Sequence, residues 1–330
     1  MTPKYFPGAN TGHGFVSHFH GIVPPWEKPH YTYILKGGPG VGKNTLMKKV
    51  LCLARTNGYT VEEFRCASDP GSLDAVRIPE RGLVFLDGTA PHNLDPVMPG
   101  IEAEIINLGH FIHREVFVRR KNELQLLFEE NEMHYREAFA CLSAAAVLRR
   151  TAVREAEKAA DLTLIREFLT ENFSLSSPGS TRHLFLSSAT PDGILDLSDT
   201  LEPENTVLLS GILGAVFLKE ADRMARGTKH TVFSHFITPE LPQYLYLPDS
   251  DTLLCAVDDP ESTLHDFLLS PLPNFISFAL SEAEQLSRRA VDALRLCKRT
   301  HDAIESIYRP YVDFERVELE TSRLLEQISL

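Results

Sequence analysis

The sequence predicts an α/β protein of two tandem repeats, each a parallel sheet with helical crossovers and a helical hairpin arm, the second repeat degenerate. Three observations support this. A glycine-rich segment joins a strand-like run to a helix-like run. Segments of the first half recur in the second at a slowly drifting separation. Long apolar stripes at helical spacing follow each half.

The strand-like run is Tyr31-Thr32-Tyr33-Ile34-Leu35, β-branched and aromatic as a buried strand requires. Leu46, Val50, Leu53 and Ala54 then fall on one helical face, and Gly58 marks a stop, predicting a helix over 43–57. Between them lies Gly37-Gly38-Pro39-Gly40-Val41-Gly42-Lys43-Asn44-Thr45. Gly37, Gly42 and Lys43 satisfy the phosphate-loop pattern G-x-x-x-x-G-K-[ST], but Asn44 stands where the hydroxyl residue belongs. Glycines let such a loop curl so that main-chain N–H groups converge on phosphate oxygens, assisted by the positive end of the following helix. Gly38 to Asn44 are therefore the expected cradle, Lys43 the cation on the β- and γ-phosphates, and Thr45 the contact to an α-phosphate. An Asn44 amide oxygen reaches one bond further than a serine hydroxyl and brings an NH₂ donor toward Mg²⁺. Weakened Mg²⁺ coordination and slow hydrolysis are expected.

Downstream, a strand is expected over about 60–66 and another over 83–86. The second, Leu83-Val84-Phe85-Leu86, ends in Asp87, the position from which a carboxylate holds Mg²⁺ at the carboxyl end of a sheet. Gly88-Thr89 follow, so no glutamate succeeds Asp87 as a catalytic base. Asp69, His92 and Asp95 lie at segment ends, where turn and capping roles compete with catalysis. His13, His18, His20 and His30 cluster near the start, and His18 and His20 share a face of any extended segment; the matching positions in the second half, Asp192, Leu197 and Asp199, argue against a shared metal site. Arg119-Arg120-Lys121, Arg149-Arg150 and Arg288-Arg289 read as solvated helix faces, the first also as a source of an arginine finger.

The internal repeat orders the rest of the chain. Phe6 to Val16 resembles Phe185 to Leu195 (185 − 6 = 179), the strand and loop at Gly37 match Val207 to Gly214 (211 − 37 = 174), and Asp69-Pro70 matches Thr238-Pro239 (239 − 70 = 169). At a separation of 174, Val216, Phe217 and Leu218 replace Gly42, Lys43 and Asn44, a set that cannot cradle phosphate. A packed strand–turn–helix is expected over 207–218. Residues 101–173 and 279–330 read as helical arms, the latter broken at Pro310. The linker-like stretch 174–181 divides the chain into 1–178 and 179–330.

Composition restricts the partners. A chain of 330 residues, 43% apolar and 24% charged, with a net charge of −12, has the make-up of a soluble globular protein and not that of a general nucleic-acid binder. No apolar run reaches membrane-spanning length, and five scattered cysteines suit reduced thiols, so a cytoplasmic location is expected.

Gly37 to Lys43, Ser68-Asp69-Pro70, Ile78-Pro79-Glu80, Leu86-Asp87-Gly88-Thr89-Ala90-Pro91-His92, Ile105 to Gly109 and His183-Leu184-Phe185 together resemble an uncharacterised bacterial family of tandem-repeat P-loop ATPases. The resemblance covers most of the chain and implies two P-loop NTPase-like repeats that bind ATP with Mg²⁺. Asn44 and the degenerate second loop depart from that pattern. Adenine is favoured over guanine by the absence of an N-K-x-D or T-K-x-D motif. The function expected is ATP binding with slow Mg²⁺-dependent hydrolysis, using Lys43 and Asp87, with Asn44 and Asp87 beside the metal. Two alternatives stand beside it: a kinase whose helical arm closes on a small-molecule acceptor, and a non-catalytic scaffold locked by nucleotide.

Overall fold

The computed structural model describes residues 2–27, 30–257 and 264–328. The first repeat runs β1 (Lys4–Tyr5), a hairpin of β2 (Gly8–Thr11) and β3 (Gly14–Ser17), β4 (Tyr31–Lys36), α1 (Lys43–Thr56), β5 (Glu62–Arg65), β6 (Leu73–Ile78), β7 (Leu83–Asp87) and β8 (Ala103–Asn107). Helices α2 (Arg114–Phe117), α3 (Lys121–Ala159) and α4 (Leu162–Asn172) follow. The second repeat runs β9 (Thr181–Leu184), a hairpin of β10 (Ser187–Thr190) and β11 (Gly193–Asp196), β12 (Asn205–Ser210), α5 (Gly211–Ala225), β13 (His230–Ser234), β14 (Pro242–Leu247) and β15 (Thr252–Val257). It ends in α6 (Phe275–Tyr308) and α7 (Phe314–Ile328), with a 3₁₀ turn over Arg309–Tyr311 at the expected break.

The strand order is β1-β5-β6-β7-β4-β8 in one sheet and β9-β13-β14-β15-β12 in the other, the same order with one strand fewer. Duplication is therefore visible in topology as well as in sequence. The sheets are mixed, however, and not parallel. β4, β7 and β8 run parallel, whereas β6 is antiparallel to both β5 and β7. Parallel pairing needs a crossover of a dozen or more residues, and the connections on either side of β6 (66–72 and 79–82) are too short for one. β6 itself escapes sequence reading because Asp74 and Arg77 interrupt its apolar pattern, yet every residue in it is buried. Residues 103–107 form an edge strand where a helical arm was expected; the β-branched pair Ile105-Ile106 favours it.

The two sheets face each other. Tyr5, Phe64, Ala75, Val84 and Leu86 of the first pack against Leu184, Phe233, Tyr244, Leu253 and Cys255 of the second. Among the described residues, each sheet has α-helices only on its outer face. The molecule is thus a four-layer α-β-β-α stack instead of two doubly wound cores side by side. Equivalent positions meet at the centre, where Phe6 and Phe185 exchange main-chain hydrogen bonds of 2.9 and 3.1 Å. One charged clasp crosses the interface: buried Arg182 on β9 donates to the carbonyls of Gly21 and Ile22 at 2.7 and 3.0 Å and to Glu62 on β5 at 3.2 Å. Burial opposes ionisation of Glu62, but the guanidinium groups of Arg182 and Arg77 outweigh it and hold the carboxyl below its ordinary range.

Neither arm folds back as a hairpin on its own repeat. Long helices α3 and α6 pair with each other, antiparallel: Leu124 lies with Ile304 and Ile307, and Asn131 beside Cys297. Their sequels are exchanged. Ala152, Val153 and Ala156 of α3 and Ile165 and Leu169 of α4 pack with α5 on the second sheet. Val317, Leu324 and Ile328 of α7 pack with α1 on the first. Short two-residue ladders fix both crossings: His113 N–H donates to Tyr311 O and Asp313 N–H to Phe111 O at 2.9 Å, while Asp161 and Leu269 N–H donate to Phe267 and Ala159 at 2.8 Å.

Each repeat therefore depends on the other for an outer helix. Leu324 is fully enclosed by the first repeat's core. Leu324→Ala is expected to lower unfolding free energy by about 2–5 kcal/mol in urea titration, the range for a buried leucine truncation.

Candidate functional site

The Gly37–Thr45 segment lies where parallel strands β4 and β7 end, and three of its glycines adopt positive φ: Gly37 at 145°, Gly40 at 72° and Gly42 at 100°. Side chains other than glycine rarely hold those angles. Gly42 is the N-cap of α1 and Lys43 its first residue, so the helix aims its positive end into the curl. Among the described residues, no main-chain N–H from Gly38 to Thr45 donates to a protein acceptor. A set of unpaired amides on one curl, at a helix start, has the donor geometry that an anion requires.

Lys43 folds back over this curl. Its Nζ donates to the carbonyls of Gly37 (2.8 Å) and Gly38 (3.1 Å) and stands 3.6 Å from Asp87 Oδ2. The other carboxylate oxygen, Asp87 Oδ1, accepts from the Thr89 N–H at 2.8 Å and its hydroxyl at 2.5 Å, which orients it at the strand end. Thr45 is exposed on the first turn of α1. Structure and sequence agree in bringing Gly37 to Thr45 and Asp87 together.

Asn44 does something the sequence did not disclose. Its Nδ2 donates to Ser72 Oγ at 3.0 Å and its Oδ1 accepts from the Leu73 N–H at 3.2 Å. The amide ties the start of α1 to the start of β6, so the side chain expected beside Mg²⁺ is engaged by the neighbouring strand. Asp69 belongs to the same turn, accepting from Ser72 Oγ at 2.6 Å, as a turn residue should.

His92 and Asp95 sit on the loop after β7. Asp95 pairs with Lys36 at 3.1 Å, and Lys36 also donates to Gly88 O at 2.8 Å. His92 packs against Phe15 and Phe19 and places Nε2 3.6 Å from Asp74 Oδ2. Sequence reasoning missed Asp74, which is buried at a bulge in β6. One member of each basic cluster is ion-paired: Arg120 with Glu123, Arg150 with Glu240 and Arg288 with Glu284.

Sequence reasoning also missed the roof. Helices α6 and α7, from the second repeat, lie directly on the glycine-rich loop. A Cβ built on Gly38 would lie 3.5 Å from Tyr308, one on Gly40 2.9 Å from Glu305 Cγ, and one on Gly42 3.2 Å from Val317. Glycine at Gly40 is required by its φ, and a Cβ there would also displace the Glu305 side chain.

The second repeat has no equivalent curl. β12 ends at Ser210 and α5 starts at Gly211, with nothing between. Gly211 (φ 66°) occupies the place of Gly42 (211 − 42 = 169). The expected replacement of Gly42, Lys43 and Asn44 by Val216, Phe217 and Leu218 is therefore corrected: the offset falls from 174 to 169 inside the loop, which has no counterpart here, and Ile212, Leu213 and Gly214 follow Gly211 instead. No turn separates strand from helix.

His18 and His20 do converge, with His183 of the second repeat, on a cavity of about 250 Å³ also lined by Asp222, Ser234 and Glu240. His18 Nε2 lies 3.3 Å from Ser234 Oγ and its ring stacks on Phe185. Among the described residues, no three His, Cys, Asp or Glu side chains hold metal-binding geometry. Burial, reinforced by His183 and His20, pushes the His18 imidazole down to about 4. A depressed folded value means the unfolded chain takes up the proton first, so stability is present above the ordinary histidine value and lost as pH falls toward 4. Wild-type protein is expected to lose up to about 3 kcal/mol from this residue between pH 6.5 and 4, and His18→Gln to flatten that part of the urea-midpoint profile. No protein-family model, curated protein or solved structure matches this chain.

Proposed function

We propose that the chain binds a nucleoside triphosphate, ATP in the first instance, at Gly37–Thr45 and hydrolyses it slowly with Mg²⁺. The observation that carries this reading is the set of unpaired main-chain N–H groups of Gly38 and of Gly40 to Thr45, curled by three positive-φ glycines beneath a lysine. Such a curl binds phosphate oxygens at little cost in reorganisation. Lys43 leaves two carbonyl acceptors to reach the β- and γ-phosphates, while Thr45 meets the α-phosphate. Asp87, already oriented by Thr89, is the residue to hold the Mg²⁺ shell. Mg²⁺, when bound, neutralises charge developing on the phosphates. Asn44 contributes little there, since its amide holds β6. Slow turnover follows.

The nucleotide-locked scaffold is the second reading, favoured by the roof of α6 and α7 on the loop. Titration with a fluorescent ATP analogue decides the first point. Saturable uptake is expected, weakened about 10–100-fold by Lys43→Ala, the loss of a charge-assisted contact. Uptake absent, or undiminished in that variant, would remove the reading. Asn44→Ser is expected to raise Mg²⁺-dependent phosphate release while lowering stability by about 1 kcal/mol, because the Leu73 N–H loses its acceptor. Thermal stabilisation by nucleotide without any phosphate release, in both forms, would select the scaffold.

A further inference from the structure

A hydrolytic P-loop needs a group to orient and deprotonate the attacking water, and the strand ending in Asp87 is followed by Gly88-Thr89 in place of a glutamate. The carboxylates around the loop are nearly all committed. Asp87 accepts from Thr89 and faces Lys43; Asp69 accepts from Ser72; Asp74 faces His92; Asp95 pairs with Lys36; Asp302 pairs with Lys298. Glu305 is different. It projects from α6 of the second repeat onto the middle of the cradle, where a Cβ on Gly40 would lie 2.9 Å from its Cγ and 3.4 Å from Oε1. Among the described residues its carboxylate makes no hydrogen bond and no ion pair within 4 Å. It is only half-buried, so water reaches it.

We propose that Glu305 is the catalytic carboxylate of the phosphate site, supplied by the repeat that has lost its own loop. This rests on the nucleotide-binding reading above. In the step assigned to it, a water oxygen attacks the γ-phosphorus while the Glu305 carboxylate takes the water's proton. The bond from the γ-phosphorus to the bridging oxygen breaks, and its electron pair leaves on the terminal oxygen of ADP. Inorganic phosphate forms, and Glu305 returns its proton to solvent. Lys43 balances charge on the phosphate oxygens throughout. Tyr308, one turn further along α6 and packed over Gly38, fixes the height of the helix above the loop and acts as a positioning residue.

The test is Glu305→Gln in the full chain with Mg²⁺, read by three measurements. Affinity for fluorescent ATP and ADP analogues is expected to change less than about threefold. Steady-state phosphate release is expected to fall at least about 100-fold, the scale of a lost general base. Radiolabelled ATP is expected to be recovered from the variant unhydrolysed, and from the wild type as ADP. Glu305→Asp, which keeps the charge but withdraws it by one methylene, is expected to fall between the two. Unchanged or faster release in Glu305→Gln overturns the proposal, as does tenfold tighter binding of both nucleotides, which would make Glu305 a repulsive plug. Wild-type binding without release overturns it while leaving nucleotide binding intact. Absence of wild-type binding removes both together.

Discussion

Among the described residues, each sheet has α-helices on one face only, so its other face must be buried by the opposite sheet. That single constraint shapes everything else. The first repeat cannot shield Phe64, Val84 and Leu86 alone, nor the second Phe233 and Leu253; the joint core between them removes both sets from water. Burying the sheets together also brings Arg182 and Glu62 out of solvent, tolerable because Arg77 and two main-chain carbonyls complete the set. Once the sheets are fixed face to face, a long helix leaving one repeat runs toward the outer surface of the other. Exchange of α4 and α7 is the outcome.

The same arrangement places the glycine-rich loop in a composite site. Its floor is β4, β7 and α1, and its roof is α6 and α7, elements more than two hundred residues further along the chain. Gly40 and Gly42 serve the backbone curl through their positive φ and also ease the approach of that roof. A local motif thus carries a long-range packing requirement that the motif itself does not announce.

What could be read from the sequence divides along this line. Strand 31–36, helix 43–56 and strand 83–87 were legible because each is a local pattern: a β-branched run, a helical stripe, an apolar run ending in Asp87. The duplication was legible from repeated spacing. β6 was not, because the bulged Asp74 and the paired Arg77 disguise a buried strand. Nor were Glu305 and Tyr308, since nothing local distinguishes them from the solvated face of a long helix. Asn44 looked like a flaw in a metal site; its hydrogen bonds to Ser72 and Leu73 show a second duty that depends on where β6 lies.

The junction of β12 with α5 has a consequence for the history and engineering of the chain. In the first repeat the strand and helix are separated by a curl; in the second, Ser210 and Gly211 are consecutive, and a Cβ on Gly214 would collide with the Leu209 carbonyl oxygen at 2.2 Å. Point substitutions cannot reopen that join. Building a second curl would require inserting five residues (174 − 169 = 5) between Ser210 and the packed helix. The asymmetry between the halves therefore lies in chain length at this join and not in side-chain identity alone.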